Sequence, residues 1–139
     1  MAMATIEKIK HALVNDRLVD IVTIGRKTGE QRRVEIWFHN IEGRIIICGK
    51  PRGERDDGSP WSNRGWLANM RANPKFSFCL KESCEADLPA RAVEITDDDD
   101  RRSLMSLSRM EWYHEQVEKV EDLVVGSPIV EVFFDQPEL

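Results

Sequence analysis

Residues 24–37, IGRKTGEQRRVEIW, gather Arg26, Lys27, Arg32 and Arg33 around one short turn bracketed by Gly25 and Gly29. Glycines let a turn expose successive backbone N–H groups. An arginine offers phosphate or carboxylate a planar fork of donors, and a lysine offers a point charge. With Thr28 in the same bend, the chemistry available is the grip of an anion. An exposed hairpin tip, where Lys, Thr and Gly are common, would use the same residues. The GxxxxGK[ST] spacing of a Walker loop is absent. Further along, Gly49 and Lys50 mark the corner where a strand enters a charged stretch. Lys50, Arg52 and Arg55 could face the same anion, or be neutralised by Glu54, Asp56 and Asp57.

The other reactive side chains form no catalytic set. His11, His39 and His114 show neither HxH nor HExxH spacing, so no metal site is expected. No serine lies in GxSxG and no cysteine has a nucleophile's context. Tyr113 and His114, in EWYHE, could donate a proton, or simply form the polar side of an amphipathic helix. Trp37 sits among Arg33, Glu35 and His39 on the polar face of its segment. That placing suits a wall for a flat ring, while Trp61 and Trp66 open a later helix; packing would explain each tryptophan equally. An anion clamp with aromatic walls, but no nucleophile or metal, points to chemistry carried by a bound cofactor, with the protein supplying position and electrostatics.

The elements that must position these groups follow from periodicity. Ile6, Ile9 and Leu13 predict a helix over Thr5–Asn15. Leu18–Ile24 is rich in β-branched residues and reads as a strand. Arg32–His39 alternates, with Val34, Ile36 and Phe38 on one face, and reads as a half-buried strand. A turn at Asn40–Gly43 leads to a third strand, Arg44–Gly49. Lys50–Pro60 is a loop, and Ser59-Pro60 reads as a helix start. The helix it opens runs through Trp61, Trp66, Leu67 and Met70 and is stopped by Asn73-Pro74. Lys75–Leu80 and Ala90–Ile95 are the next strands. Thr96 and the run Asp97–Asp100 cap a helix extending to about Val120, and Ser127–Phe134 is the last strand.

The chain has 139 residues, 41% hydrophobic and 32% charged, with a formal charge of −5. One globular domain over residues 1–139 is expected. The first 75 residues hold 14 Lys and Arg against 9 Asp and Glu, and the remainder holds 6 against 16. A basic half on an acidic domain suits a small anionic ligand better than a nucleic acid, which favours basicity throughout. Apolar runs are too short for a signal peptide or a membrane span. Cys48, Cys79 and Cys84 form an odd set without CxxC, so reduced thiols and a cytoplasmic location are expected. Six short strands in hairpins predict a mainly β, α+β architecture: a six-stranded antiparallel split barrel with flanking helices, closed or nearly closed, because closure removes exposed edges.

IVTIGRKTGEQR, then RIIICGK, a charged loop and WLANMRANPKFSF, together resemble the deazaflavin-dependent nitroreductase family. That family belongs to the split β-barrel superfamily that includes pyridoxamine-phosphate oxidase. The likeness spans about Leu18 to Phe134. It implies a split-barrel oxidoreductase that passes a hydride from the reduced deazaflavin coenzyme F420 to a small electron-poor acceptor, such as a quinone, enone or nitro compound. The anion would be the coenzyme's phosphodiester and polyglutamate tail. By position, Arg26, Lys27, Thr28 and Arg32 match the phosphate-contacting turn. Cys48, Gly49 and Lys50 match the strand end that meets the coenzyme, Trp37 matches an aromatic near the ring, and Trp66 matches the family's helix tryptophan. Glu35 stands where members of the family carry proline, and Tyr113 is the sole tyrosine where they use several. An FMN- or haem-binding split barrel and a non-catalytic cofactor carrier are the alternatives. The superfamily also implies a homodimer.

Overall fold

The computed structural model describes residues 5–49 and 65–139. The first helix, α1 (Ile6–Asn15), starts where Thr5 Oγ1 accepts a hydrogen bond from the Lys8 N–H at 3.2 Å. It buries Ile9, Ala12 and Leu13. Three strands follow, β1 (Leu18–Ile24), β2 (Gln31–Ile41) and β3 (Arg44–Cys48). The β2–β3 turn carries Glu42 at φ 53° and Gly43 at φ 90°, a left-handed pair suited to a two-residue hairpin. The Asn40 side chain accepts the Gly43 N–H there.

After α2 (Gly65–Ala72) come β4 (Lys75–Leu80) and β5 (Ala86–Glu94), and the chain later returns as β6 (Ile129–Phe134). The strands form a closed antiparallel barrel in the order β1-β2-β3-β6-β5-β4, with β4 paired back onto β1. Closure satisfies every edge. Strand β5 begins four residues before the sequence-predicted Ala90. Pro89 sits just past the end of β6, where its carbonyl accepts the Asp135 N–H. Its missing N–H therefore costs no ladder bond.

Alternation decides the core. Val19, Ile21, Phe38, Ile45, Ile47, Phe78, Leu88, Ala90, Val130 and Val132 fill the barrel, and α1 and α2 add Leu13, Leu67 and Met70 to the same cluster. A second cluster lies on the outer face of β2, β3 and β6, where Ile46, Cys48 and Ile129 meet Met105, Met110, Tyr113, Leu123 and Val124.

The cover of that second cluster corrects the expectation of one helix up to Val120. The segment breaks into α3 (Asp98–Met105), a 3-10 turn (Ser108–Met110), α4 (Glu111–His114) and α5 (Val120–Gly126). The cap is Asp97, whose carboxylate accepts the Asp100 N–H at 2.9 Å, rather than Thr96. On one straight helix, Leu104, Met105, Met110, Tyr113, Leu123 and Val124 would spread over roughly 240° of arc. Only a bent path lays all six on one sheet face. The pieces are tied down by buried Arg101, which donates to the carbonyls of Ile95, Val124 and Ser127. Arg44 of β3 adds a bidentate pair to Asp100 and two bonds to Glu131 Oε1.

Candidate functional site

The basic turn closes β1 onto β2. The Gly25 N–H donates to Glu30 O at 2.7 Å, and the Gly29 N–H donates to Gly25 O at 2.8 Å. Gly29 holds φ at 74°, which a side chain would resist. A Cβ on Gly25 would come within 3.0 Å of Thr28 Oγ1 and 3.2 Å of Glu30 O, so the bend is tight as well as left-handed. Thr28 Oγ1 accepts the Glu30 N–H. With its inner surface occupied in this way, the turn leaves Arg26, Lys27 and Thr28 exposed at its tip.

Helix α2 stands against this tip. Asn69, 4% exposed, accepts the Arg26 N–H on Oδ1 at 3.1 Å, with Arg26 Nη1 at 3.5 Å from the same oxygen. Its Nδ2 donates to the buried Thr23 hydroxyl at 3.1 Å. Between turn and helix lies a cleft of about 630 Å³ bordered by Arg26, Lys27, Thr28, Arg32, Trp66 and Asn69. Among the described residues, Arg26 and Lys27 have no carboxylate partner, and Arg32 reaches only the exposed Glu30 at 3.5 Å. An exposed pair of that kind is worth little. Three cations thus converge on a concave surface with almost no countercharge of their own, which is what a polyanion requires.

Glu35, Trp37, Cys48, Tyr113 and His114 lie on the outer side of β2 and β3. Glu35 points out to Lys81, which also binds Asp20 at 2.7 Å. Trp37, 39% exposed, meets Trp112 edge-on with centroids 5.2 Å apart. Trp112 stacks in the same manner on Tyr113 at 5.1 Å. The buried Tyr113 hydroxyl lies 3.1 Å from His39 Nε2. Burial, then the neighbouring Cys48, pushes the tyrosine up, and burial pushes the Cys48 thiol up to about 12. Burial, helped by Arg17 and Arg109, pulls His39 down to about 4. All three groups are therefore neutral at physiological pH. His114 is bonded through Nε2 to Met105 O. Gly49 lies against Pro128, whose carbonyl accepts its N–H. Lys50 falls outside the described residues.

The structure therefore brings Arg26, Lys27, Thr28, Arg32 and Trp66 to one cleft. It sets Glu35, Trp37, Cys48, Tyr113 and His114 on the other side of the same strands. Asn69 escaped the sequence reading. Its signal was a poor helix former held on the inward face of a short helix, between Leu67 and Met70. Among the described residues no helix is long and apolar enough to cross a membrane.

Residues 4–126 match the F420H2-dependent quinone reductase family. The fold is similar to that of a FAD-binding protein from Mesorhizobium loti, at TM-score 0.60 and 15% identity over 96% of this chain and 90% of that one. It is similar to an F420-H2 dependent reductase, at TM-score 0.51 and 17% identity over 85% and 95%. It is also similar to a pyridoxinephosphate oxidase family protein from Clostridium acetobutylicum, at TM-score 0.62 and 10% identity over 93% and 80%. At such identities these three likenesses speak to the fold alone.

Proposed function

The chain belongs to the F420H2-dependent quinone reductase family, as an oxidoreductase that uses coenzyme F420, and from that premise we propose that the turn cleft holds the coenzyme's anionic handle while a quinone, enone or nitro compound is reduced. The carrying observation is the convergence of Arg26, Lys27 and Arg32 on a cleft where, among the described residues, only the exposed Glu30 answers them. When bound, the reduced coenzyme supplies a hydride. Arg26 and Arg32 contribute forked donors to the phosphodiester, and Lys27 a point charge to the carboxylate tail. Trp66 contributes a flat apolar wall and shields these contacts from water, which strengthens them. Gly49, just past the end of β3, and Lys50, the next residue in the sequence, are assigned to the coenzyme by the family likeness alone.

Trp37, on the outer side of β2, is the aromatic that would border the coenzyme's ring beyond the turn, and the acceptor would lie against that ring for hydride transfer. Reduction by hydride leaves an anionic product that takes up a proton. Tyr113, held by burial in its protonated form beside His39 and Cys48, is the proton donor we assign to that side, with His114, one residue on, as the second candidate. The reading includes a cytoplasmic homodimer.

The experiment is a paired titration of tryptophan fluorescence with oxidised F420 and with FMN, followed by mixing the reduced coenzyme with a panel of quinones, enones and nitroaromatics. Saturable binding of the deazaflavin and turnover of at least one acceptor are expected. Tight FMN binding with no response to the deazaflavin would sink the reading. Binding without turnover across the panel would reduce the protein to a carrier.

A further inference from the structure

We propose that Asn69 is a positioning residue: its neutral carboxamide fixes Arg26 at the mouth of the cleft while leaving the guanidinium charge uncommitted for the anion. The inference rests on the reading of the turn as the coenzyme's clamp. It concerns a residue of α2, 43 positions away from Arg26 in the chain.

The geometry admits only one orientation of the amide. Both Arg26 groups that face Asn69 are donors, so the oxygen must lie toward them. The nitrogen must then lie toward Thr23, whose hydroxyl is buried and accepts at 3.1 Å. Each buried polar atom of the carboxamide is thereby satisfied, and the amide is locked by a strand residue on one side and the turn backbone on the other. The Arg26 N–H is held at 3.1 Å, whereas the guanidinium contact at 3.5 Å is long and takes up only one of its five N–H donors. The backbone of residue 26 is therefore fixed, and its head remains available.

A carboxylate at position 69 would have nearly the same shape and could still accept from the Arg26 N–H. Thr23 could rotate its hydroxyl to donate instead. The difference would be electrical. A buried aspartate would draw the guanidinium into an ion pair and set a negative charge beside the incoming phosphodiester. The choice of Asn over Asp therefore separates a clamp that holds an anion from a self-neutralised one. A purely structural asparagine would show no such dependence on charge.

The test measures oxidised F420 binding by tryptophan fluorescence across a range of NaCl concentrations for wild type, Arg26→Ala, Asn69→Asp, Asn69→Ala and the Arg26→Ala/Asn69→Ala pair, with melting temperatures alongside. Asn69→Asp is expected to weaken binding by about tenfold, as loss of one charge-assisted contact does, and to flatten its salt dependence toward that of Arg26→Ala. Asn69→Ala, which carries no charge penalty and folds if the aspartate does not, is expected to lose roughly threefold, with the salt dependence kept. In the Arg26→Ala background it is expected to lose nothing more. Wild-type affinity and salt dependence in both Asn69 variants, beside a weakened Arg26→Ala, would overturn the role of Asn69 and leave the clamp standing. An equal loss from Asn69→Ala with and without Arg26 would overturn it too, because the effect would not run through Arg26. Wild-type affinity in Arg26→Ala would remove the clamp itself, and this inference with it.

Discussion

Arg33 turns outward from β2 onto the Asp20 carboxylate at 2.8 Å, where Lys81 and Glu35 complete a cluster of two acids and two bases. Arg32, one residue earlier, turns toward the end of the barrel beside Arg26 and Lys27 and finds only the exposed Glu30. The pleat sends neighbours to opposite faces, and the two faces treat positive charge differently. On the outer face the Lys81 ammonium, then Arg33, holds the Asp20 carboxyl below its usual range, and Asp20 and Glu35 raise Lys81 in return. That cluster is complete and asks for no ligand. At the turn, like charges are held near one another, and among the described residues only the exposed Glu30 answers them. Although Arg33 also borders the cleft, Asp20 has already claimed its charge. The number of basic residues therefore says less about binding than whether the fold has supplied their partners.

The comparison breaks most readily at the turn. Arg26→Ala with Lys27→Ala is expected to weaken F420 binding by more than tenfold, since each charge-assisted contact contributes ~1.5–3 kcal/mol. Its melting temperature should stay close to wild type, because the side chains are exposed. Unchanged affinity in fluorescence titration would mean that the turn is only a hairpin tip.

On the outer side of the strands lies a buried polar pair, His39 and Tyr113, that sharpens the contrast, because here burial rather than pairing governs the proton. With His39 pulled down to about 4, the unfolded chain takes up a proton near pH 6.5 that the folded chain refuses until about pH 4. Stability should therefore fall as pH drops through that window, by ~3 kcal/mol at its foot. Urea midpoints at several pH values should show this slope, and His39→Gln should lack it. F420 affinity, which depends on arginine and lysine, should be flat over the same range.

The outer cluster should yield the smaller effects. Asp20→Asn removes the carboxylate that both Arg33 and Lys81 share. It should lower the melting temperature by roughly a few degrees, given how exposed the partners are. A carboxyl held below its usual range contributes stability above about pH 4 and loses it as pH falls further, so the variant and wild type should converge under acid. Glu35→Gln is expected to change F420 affinity by less than about twofold, because Lys81 already neutralises that carboxylate. A larger gain in affinity would show that the outer face feels the coenzyme, and the distinction between the two faces would fail.

The amino-acid sequence by itself determined the alternating strands, the closed antiparallel barrel they require, the tight basic turn and membership of a family that uses coenzyme F420. These are local properties: a period of two, a glycine at positive φ, a family motif read along a continuous stretch. Tertiary structure decided the rest. It bent the late helix, because the apolar positions from Leu104 to Val124 had to share one sheet face. It paired Glu35 with Lys81, 46 residues away, and set Tyr113 against His39 across 74. It also made Asn69 the neighbour of Arg26. No sequence period encodes such contacts, because they follow from closing the barrel, and closure brings together residues whose separation along the chain carries no signal of their separation in space.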